Sequence, residues 1–186
     1  MATTLVDSRN GVAHGDKSNG SIAPPKSTDK DLSSVLGVHK SPDAFGSYAF
    51  SKVSLPAGSF FARITNPIPT STVAYTSVQV SRDKHIELNS DLVYTNHSCD
   101  PNLEYDMERF EVRVVKDRDL RKGEKLGFFY PSTEWEMVQP FECNCGSERC
   151  IGLVEGASKI DSETLRGYWL NRHIAELVAE RERSRS

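Results

Sequence analysis

The stretch Asn96-His97-Ser98-Cys99-Asp100-Pro101-Asn102 decides the fold, although none of its residues does so alone. Asparagine is a common turn residue, so Asn96 on its own indicates no more than a turn. His97 on its own is compatible with a hydrogen-bonded core histidine. Cys99 carries more information, because the chain has only four cysteines in 186 residues. The interpretation of this stretch therefore depends on where the other three cysteines lie.

The other three cysteines form one cluster, Cys143-x-Cys145-x4-Cys150. Two cysteines separated by one residue are poorly placed for a disulfide, whereas thiolates on a tight turn can share a metal ion. Structural zinc takes four ligands in a tetrahedron, and the cluster supplies three of them. From spacing alone, the candidates for the fourth ligand are, in this order of preference, Cys99, then His97 or His173.

Two further segments complete a pattern with these two. Gly123-Glu124-Lys125-Leu126-Gly127-Phe128-Phe129-Tyr130 lies between them, and Ala44-Phe45-Gly46-Ser47-Tyr48-Ala49 precedes all three. In chain order the four segments resemble the motifs of SET-domain protein lysine methyltransferases: G-x-G-V-x-A, N-H-S-C-x-P-N, G-E-E-L-x-F-x-Y and the post-SET zinc segment C-x-C-G-x-x-x-C. The resemblance spans residues 44–152, and the second motif together with the cysteine cluster makes it specific.

The resemblance implies a mainly β fold, the SET-domain or β-clip fold. It consists of small sheets with a threaded, pseudoknot-like crossing, followed by a post-SET zinc loop and a C-terminal helix. In the crossing, the segment after N-H-S-C lies beside the segment that ends in the motif tyrosine. The family binds structural zinc through the cysteine of N-H-S-C and the post-SET cysteines, which implies a site made by Cys99, Cys143, Cys145 and Cys150. The zinc loop would form one wall of a substrate channel.

The resemblance also implies S-adenosylmethionine as the cofactor and a lysine amine as the methyl acceptor. The amine must be neutral to attack, and a free lysine titrates near pH ~10.4, so an apolar channel must favour the uncharged form. Tyr130 matches the catalytic tyrosine, and Tyr75 is the candidate for a second channel tyrosine. Phe128 matches a channel position at which phenylalanine accompanies addition of a second or third methyl group. The residues expected to bind the cofactor are Phe45, Gly46, Ser47, Tyr94, Asn96 and His97.

The chain departs from the family pattern at several positions. Ala44 replaces the first glycine of the first motif, and Val93 stands where many members carry an arginine. Residues 61–64 read Phe-Ala-Arg-Ile where Tyr-x-Gly-Glu is usual, and Phe129 replaces a polar or acidic residue. Cysteine-rich pre-SET sequence is missing, and we expect no chromatin-reading module. These departures favour a protein lysine outside the histones as the substrate; the alternatives are a small-molecule substrate or a non-catalytic binding module.

Composition argues against several other classes of function. The 23 basic and 26 acidic residues give a formal net charge of −3, which does not favour nucleic-acid binding. No apolar run spans a bilayer and the N-terminus lacks an apolar signal-peptide core, so we expect no membrane contact. The expected location is the reducing cytoplasm, with the nucleus accessible by diffusion to a chain of this size.

The pattern between Phe45 and Tyr130 predicts short strands separated by turns. The predicted strands lie at about 48–53, 60–65, 72–80, 85–88, 110–114 and 126–130. Apolar residues at helical spacing predict a single C-terminal helix that starts near Asp161 and packs against the β core. The charged residues 180–186 are expected in solvent.

The aromatic residues set the expected domain boundary. Every phenylalanine, tyrosine and tryptophan lies at or after Phe45, and the segment before it is rich in small polar residues. We therefore predict a disordered or loosely ordered arm over residues 1–41, with a short helix over 31–38 compatible with the pattern but not required. The SET domain follows at 42–138, the post-SET zinc segment at 139–155, and the C-terminal helix and charged tail at 156–186.

Overall fold

Short strands make up most of the regular structure. The computed structural model describes residues 31–43 and 45–185, so the predictions for residues 1–30 and for Ala44 lie outside the described residues. The strands are β1 (Leu36–His39), β2 (Tyr48–Ser51), β3 (Phe60–Arg63), β4 (Ile68–Thr70), β5 (Ser77–Ser81), β6 (Lys84–Glu87), β7 (Asn96–His97), β8 (Leu103–Asp106), β9 (Glu111–Val114), β10 (Gly127–Phe128), β11 (Phe141–Glu142) and β12 (Leu153–Val154).

These strands form four small sheets. The largest has the order β3-β9-β8-β10-β7, a second has the order β4-β6-β5, and β1-β2 and β11-β12 form two separate pairs. The predicted mainly β fold of small sheets is therefore confirmed. The sequence pattern did not indicate six of the short strands, and one of these, β4, is an edge strand that contains Pro69. The six are β1, β4, β7, β8, β11 and β12.

The largest sheet contains the crossing that the family resemblance implies. β10 lies between β7 and β8 and runs parallel to both, with Gly127 opposite Asn96 and Phe128 opposite His97. The side chain of Asn102 fixes this arrangement, since its Oδ1 accepts from the N–H of Gly127 at 2.9 Å and its Nδ2 donates to the carbonyl of Lys125 at 2.8 Å. Two motifs that are distant in sequence are thereby held side by side.

The N-terminal boundary of the folded domain lies before the predicted residue 42. Helix α1 (Leu32–Val35) begins at Asp31, whose side chain accepts from the N–H of Ser33. β1 then pairs with β2 along its whole length. Val35 and Leu36 are buried in the main core, so this part of the predicted arm belongs to the domain. Its few apolar residues pack against strands that come later in the chain.

The predicted single C-terminal helix is instead two helices, α2 (Ser162–Arg166) and α3 (Arg172–Arg185). Asp161 is the N-cap of α2, as expected, but the helix ends at Gly167. Asn171 explains the break, since its buried side chain accepts from the N–H of Met107 and donates to the carbonyls of Tyr105 and Ser132. These three hydrogen bonds satisfy backbone groups of the β core, which a continuous helix through residues 167–171 would not reach. Among the described residues, no helix is both long and apolar enough to cross a membrane.

The charged tail is also more ordered than expected. α3 continues to Arg185, and the guanidinium of Arg181 is largely buried rather than in solvent. It donates to the carbonyls of Ala157, Ser158 and Ile160 at 2.8–3.0 Å. These carbonyls belong to the 3₁₀ turn Ala157–Lys159 and the residue that follows it, so Arg181 fastens α3 to the segment that leaves the cysteine loop.

Candidate active site

A large cleft opens beside the crossing strands, with a volume of about 770 Å³. Clefts of this size accommodate a cofactor-sized ligand. All four motif segments contribute to its lining. The sequence-predicted residues that line it are Phe45, Ser47, Tyr75, Tyr94, Asn96, His97, Phe128, Tyr130 and Cys143.

Tyr130 lies two residues after the end of β10, where the 3₁₀ turn Tyr130–Ser132 begins. Its hydroxyl donates to the carbonyl of Thr95 at 3.0 Å. The rings of Phe128, His97 and Phe141 surround the tyrosine ring at centroid distances of 4.7, 5.3 and 6.1 Å. Burial raises the pKa of Tyr130 well above its ordinary value, so the hydroxyl is neutral. The site thus holds a fixed, uncharged hydroxyl that can orient a reacting group by hydrogen bonding.

His97 connects this tyrosine to the cysteine cluster. Its Nδ1 accepts from the backbone N–H of Tyr130 at 3.2 Å, and its Nε2 lies 3.2 Å from the Sγ of Cys99. Burial lowers the pKa of His97 to about 4, so the ring is neutral. Because Nδ1 accepts, the hydrogen-bond network assigns the ring proton to Nε2, which points at sulfur. His97, which was expected to bind the cofactor, therefore links the Tyr130 backbone to Cys99 through its ring.

Two residues behind Tyr130 were not predicted from the sequence. The ring of Tyr105 stacks on Phe128 at 4.1 Å, and its hydroxyl donates to Oγ1 of Thr95 at 2.9 Å. Thr95 therefore receives both tyrosine hydroxyls, one on its carbonyl and one on its side chain. The Leu-Glu-Tyr-Asp alternation of β8 was the signal that could have indicated Tyr105, whereas no signal in the sequence singles out Thr95.

The cofactor-binding residues predicted in the first motif lie next to Asn96. The Nδ2 of Asn96 donates to the carbonyl of Ser47 at 3.0 Å, which leaves its Oδ1 as the acceptor for a ligand amine. Gly46 is not part of the lining. A Cβ on Gly46 would lie 2.6 Å from Oγ of Ser41, so the absence of a side chain is needed for packing against residues 41–43. The expectation that Gly46 allows close approach of the cofactor stays a prediction.

Tyr75, predicted as a second channel tyrosine, lies at the mouth of the cleft. It is 67% exposed, and its ring lies edge-on to that of Phe45 at 6.3 Å. Tyr94 is half-buried, with the ammonium of Lys40 5.8 Å above its ring. Val93, which replaces a family arginine, also lines the cleft. The structure thus brings Tyr75 to the same cleft as Tyr130 but gives it a much wetter environment.

The departure at Phe129 has a structural explanation. Phe129 is buried and stacks face to face on Tyr168 at 3.7 Å, within a second core that includes Leu165 and Ile174. The hydroxyl of Tyr168 donates to the carbonyl of Cys99 at 2.9 Å. An apolar residue at 129 therefore serves to pack the C-terminal helices against the domain. Residues 61–64, which also depart from the family pattern, lie in the core, since Phe61, Ala62 and Ile64 are buried.

Among the described residues that line the cleft, Glu134 is the one buried carboxylate. Its Oε1 accepts from the N–H of Gln79 at 2.9 Å, and its Oε2 lies 4.0 Å from Nε2 of His85. The side chain of Gln79 in turn accepts from the N–H of Trp135 at 2.9 Å. Burial raises the pKa of Glu134 to about 7. This acid, which the sequence did not indicate, joins β5 to the segment that follows Tyr130.

Replacing Glu134 with glutamine is expected to flatten the dependence of stability on pH. The folded-state pKa is raised above the unfolded value near 4.5, so the stabilising contribution is complete below pH 4.5 and is lost as the pH rises through about 7. The full loss corresponds to about 3 kcal/mol. Urea unfolding at pH 5, 6 and 7 should give a free energy of unfolding that falls more steeply in the wild type than in Glu134→Gln. Equal slopes would show that Glu134 does not titrate in this range.

The four cysteines lie together, as the resemblance implies. Their sulfur atoms are all within 4.8 Å of one another, and those of Cys99 and Cys143 are 3.9 Å apart. A tetrahedral ion with metal–sulfur distances of ~2.3 Å separates its ligands by roughly 3.8 Å. Four thiolates suit zinc, so the donor set and the spacing both fit a structural zinc ion. Of the alternative fourth ligands, His173 is directed elsewhere, with Nε2 2.9 Å from the carbonyl of Thr133.

Comparison with known proteins agrees with this geometry. A family model described as the SET domain matches residues 27–131. Methyltransferase flvH of Aspergillus flavus is 52% identical over 148 residues, which cover 80% of this chain and 83% of the relative. The H3 lysine-36-specific histone-lysine N-methyltransferase of Cryptococcus neoformans is 29% identical over 82 residues, 42% of this chain and 10% of the relative. Histone-lysine N-methyltransferase ash1 of Drosophila melanogaster is 28% identical over 78 residues, 39% of this chain and 3% of the relative.

The matched region contains the first three motifs and the crossing of β7, β8 and β10. The family model covers more than half of the chain, and flvH matches most of both sequences. The histone-lysine methyltransferases match over one small part of much longer proteins. The chain therefore belongs to the SET-domain family of methyltransferases.

Proposed function

We propose that this protein uses S-adenosylmethionine to methylate the side-chain amine of a lysine on a protein other than a histone. One observation carries the proposal: the neutral hydroxyl of Tyr130 lies in a cleft that is also lined by Ser47, Asn96 and His97. The residues for positioning a methyl acceptor and those for holding a cofactor thus share one cavity.

The residues present fit the cofactor. Oδ1 of Asn96 is oriented by the bond of its amide nitrogen to Ser47 and can accept from the cofactor's ammonium group. The backbone next to His97 is the expected partner of the adenine. When bound, S-adenosylmethionine supplies a methyl group on a positively charged sulfur, which an amine lone pair can attack.

The protein's own contribution is to keep the amine neutral and aligned. Among the described residues that line the cleft, the carboxylates are those of Glu134 and Glu142, and burial raises the pKa of Glu134 to about 7. The aromatic rings around Tyr130 disfavour an ammonium ion. The Tyr130 hydroxyl is held by Thr95 and orients the reacting groups, so most of the rate enhancement is positioning. Phe128 lines the cleft next to Tyr130, and phenylalanine is the residue that the family carries at this position where more than one methyl group is added, which supports the same outcome here.

The proposed zinc ion is structural. With four cysteine ligands it has no open position for substrate, so it would hold β11 and the following loop against the cleft. The ring of Phe141 in β11 packs near both His97 and Tyr130. Zinc would thereby fix one wall of the channel.

A small-molecule amine is the second candidate substrate. Two observations favour it: the cleft has few acidic residues that would attract a basic histone tail, and the 52% identical relative from Aspergillus flavus is named only as a methyltransferase. The histone activity in the names of the other relatives refers to proteins that share only this domain-sized match.

Calorimetric titration with S-adenosylmethionine tests the proposal. The wild-type protein should bind the cofactor, and Asn96→Ala should raise the dissociation constant by about tenfold, since a hydrogen bond to a charged group contributes about 1.5–3 kcal/mol. Asn66→Ala is a matched control, because Asn66 is exposed and is not part of the lining. A folded wild-type protein that gives no binding heat at several temperatures would overturn the proposed function.

A further inference from the structure

The mouth of the active-site cleft is unusually apolar. Seven large apolar side chains are exposed in the part of the chain that the structure describes, and four of them line this one cleft. These four, which we call the apolar rim, are Phe45 (77% exposed), Tyr75 (67%), Val138 (59%) and Val73 (38%). Exposed apolar residues gathered in one place mark a binding surface, whereas scattered ones need no explanation.

The rim residues come from three distant segments of the chain. Phe45 belongs to the first motif, Val73 and Tyr75 precede β5, and Val138 precedes β11. Phe45 has a φ of 59°, a conformation that a bulky residue adopts only at a cost, and this backbone carries the exposed ring that meets Tyr75 edge-on. The fold therefore brings these apolar groups together at one opening.

The charges around the cleft are consistent with an apolar ligand. Glu134 and Glu142 are the carboxylates in the lining, and the carboxylate of Glu134 is nearly buried and accepts from Gln79. Only Glu142 is exposed. A lysine flanked by arginines would thus find one accessible negative charge, whereas apolar neighbours would find four apolar side chains.

We propose that the apolar rim binds apolar residues that flank the methylated lysine, so that the enzyme selects lysines in apolar segments. This rests on the proposed function. In an extended peptide, neighbouring residues are spaced by ~3.3 Å, so residues on either side of a lysine inserted toward Tyr130 remain at the mouth of the cleft. Removal of their apolar surface from water then contributes to binding. In this view Tyr75 is a specificity residue rather than a catalytic one, and Phe45, which the family resemblance assigned to the cofactor, contacts the substrate instead.

Two peptides of equal length test the proposal, each with one lysine. In the first the lysine is flanked by leucine, valine and phenylalanine; in the second it is flanked by arginine and serine. We expect kcat/KM for the first to be at least about tenfold higher. Tyr75→Ala and Val138→Ser should each raise KM for the first peptide by about three- to tenfold while kcat changes less than twofold. Ile68→Ala is the control, since Ile68 is also an exposed apolar residue (51%) but lies outside the cleft.

Each other result overturns the proposal in a recognisable way. Equal use of both peptides, or preference for the arginine-flanked one, would show that the rim does not select apolar neighbours. If Tyr75→Ala lowers kcat rather than raising KM, Tyr75 is a catalytic residue and not a specificity residue. Methylation of hexylamine but of neither peptide would exclude a peptide as the occupant. If the folded wild-type protein does not bind S-adenosylmethionine in the calorimetric experiment, the proposed function itself is refuted, independently of the apolar rim.

Discussion

Tyr130→Phe is expected to lower kcat for methyl transfer by about 10²–10³-fold, the usual effect of removing one preorganised hydrogen-bonding group from an active site. The hydroxyl is held by the carbonyl of Thr95 at 3.0 Å and is neutral, so it acts by orienting the reacting groups rather than by removing a proton. The variant keeps the aromatic ring and its contacts with Phe128 and Phe141. Single-turnover assays with saturating cofactor and the best amine substrate measure the effect, with the dissociation constant of the cofactor expected to change less than a few-fold.

Tyr105→Phe is the matched control for this experiment. It also removes a hydroxyl that is bonded to Thr95, but the residue is fully buried and does not line the cleft. Both variants should lose about 1–3 kcal/mol of stability, because each removes a hydroxyl that hydrogen-bonds to buried groups. The Tyr130 hydroxyl bonds to the carbonyl of Thr95, and the Tyr105 hydroxyl bonds to the side chain of Thr95 and to the carbonyl of Leu92. Only Tyr130→Phe should lose most of its activity. Equal losses of kcat in the two variants would show that Tyr130 acts through the fold alone.

The sequence allowed the motif residues to be predicted, but not how they are held. The crossing could be expected from the family resemblance because Asn96 and Gly127 lie in recognisable motifs, and their pairing in β7 and β10 confirms it. Thr95 and Glu134 lie next to these motifs and have no distinctive spacing. Their roles depend on contacts with Tyr105 and Gln79, which are 10 and 55 residues away in the chain. Such contacts leave no periodic pattern in a sequence.

The helix boundary illustrates the same limit. Apolar spacing across residues 165–178 favours one continuous helix, and Gly167 alone weakens that pattern only slightly. The break is stabilised by Asn171, whose side chain bonds to three backbone groups of the β core. Local propensity describes the helix in isolation, whereas the hydrogen bonds of Asn171 exist only after the domain has folded.

Cys99→Ser is expected to abolish stoichiometric zinc binding and to lower the unfolding temperature by roughly 6–12 °C, for a loss of about 3 kcal/mol. The wild-type protein should contain one zinc ion per chain by mass spectrometry under native conditions. Cys99 is fully buried between the second motif and the cysteine loop, with its sulfur accepting from the N–H of Ile151 at 3.5 Å. A ligand in this position joins the core of the domain to residues 143–151, so its loss should release the loop and Phe141 with it.

The variant His97→Gln distinguishes zinc ligation by the four cysteines from the support that the His97 ring gives to Tyr130. The imidazole lies 3.2 Å from the sulfur of Cys99, but the four sulfur atoms form a complete ligand set without it. The variant should therefore retain its zinc while losing activity, because the backbone of Tyr130 loses its partner at Nδ1.

Thiol labelling gives a readout that does not depend on a variant folding. Since the chain has four cysteines in total, a chelator should convert four protected thiols into four reactive ones in the wild type. Zinc loss in His97→Gln, or four thiols reactive before chelation, would contradict the four-cysteine site. Retained zinc with lost activity would show that His97 supports Tyr130 without being a zinc ligand.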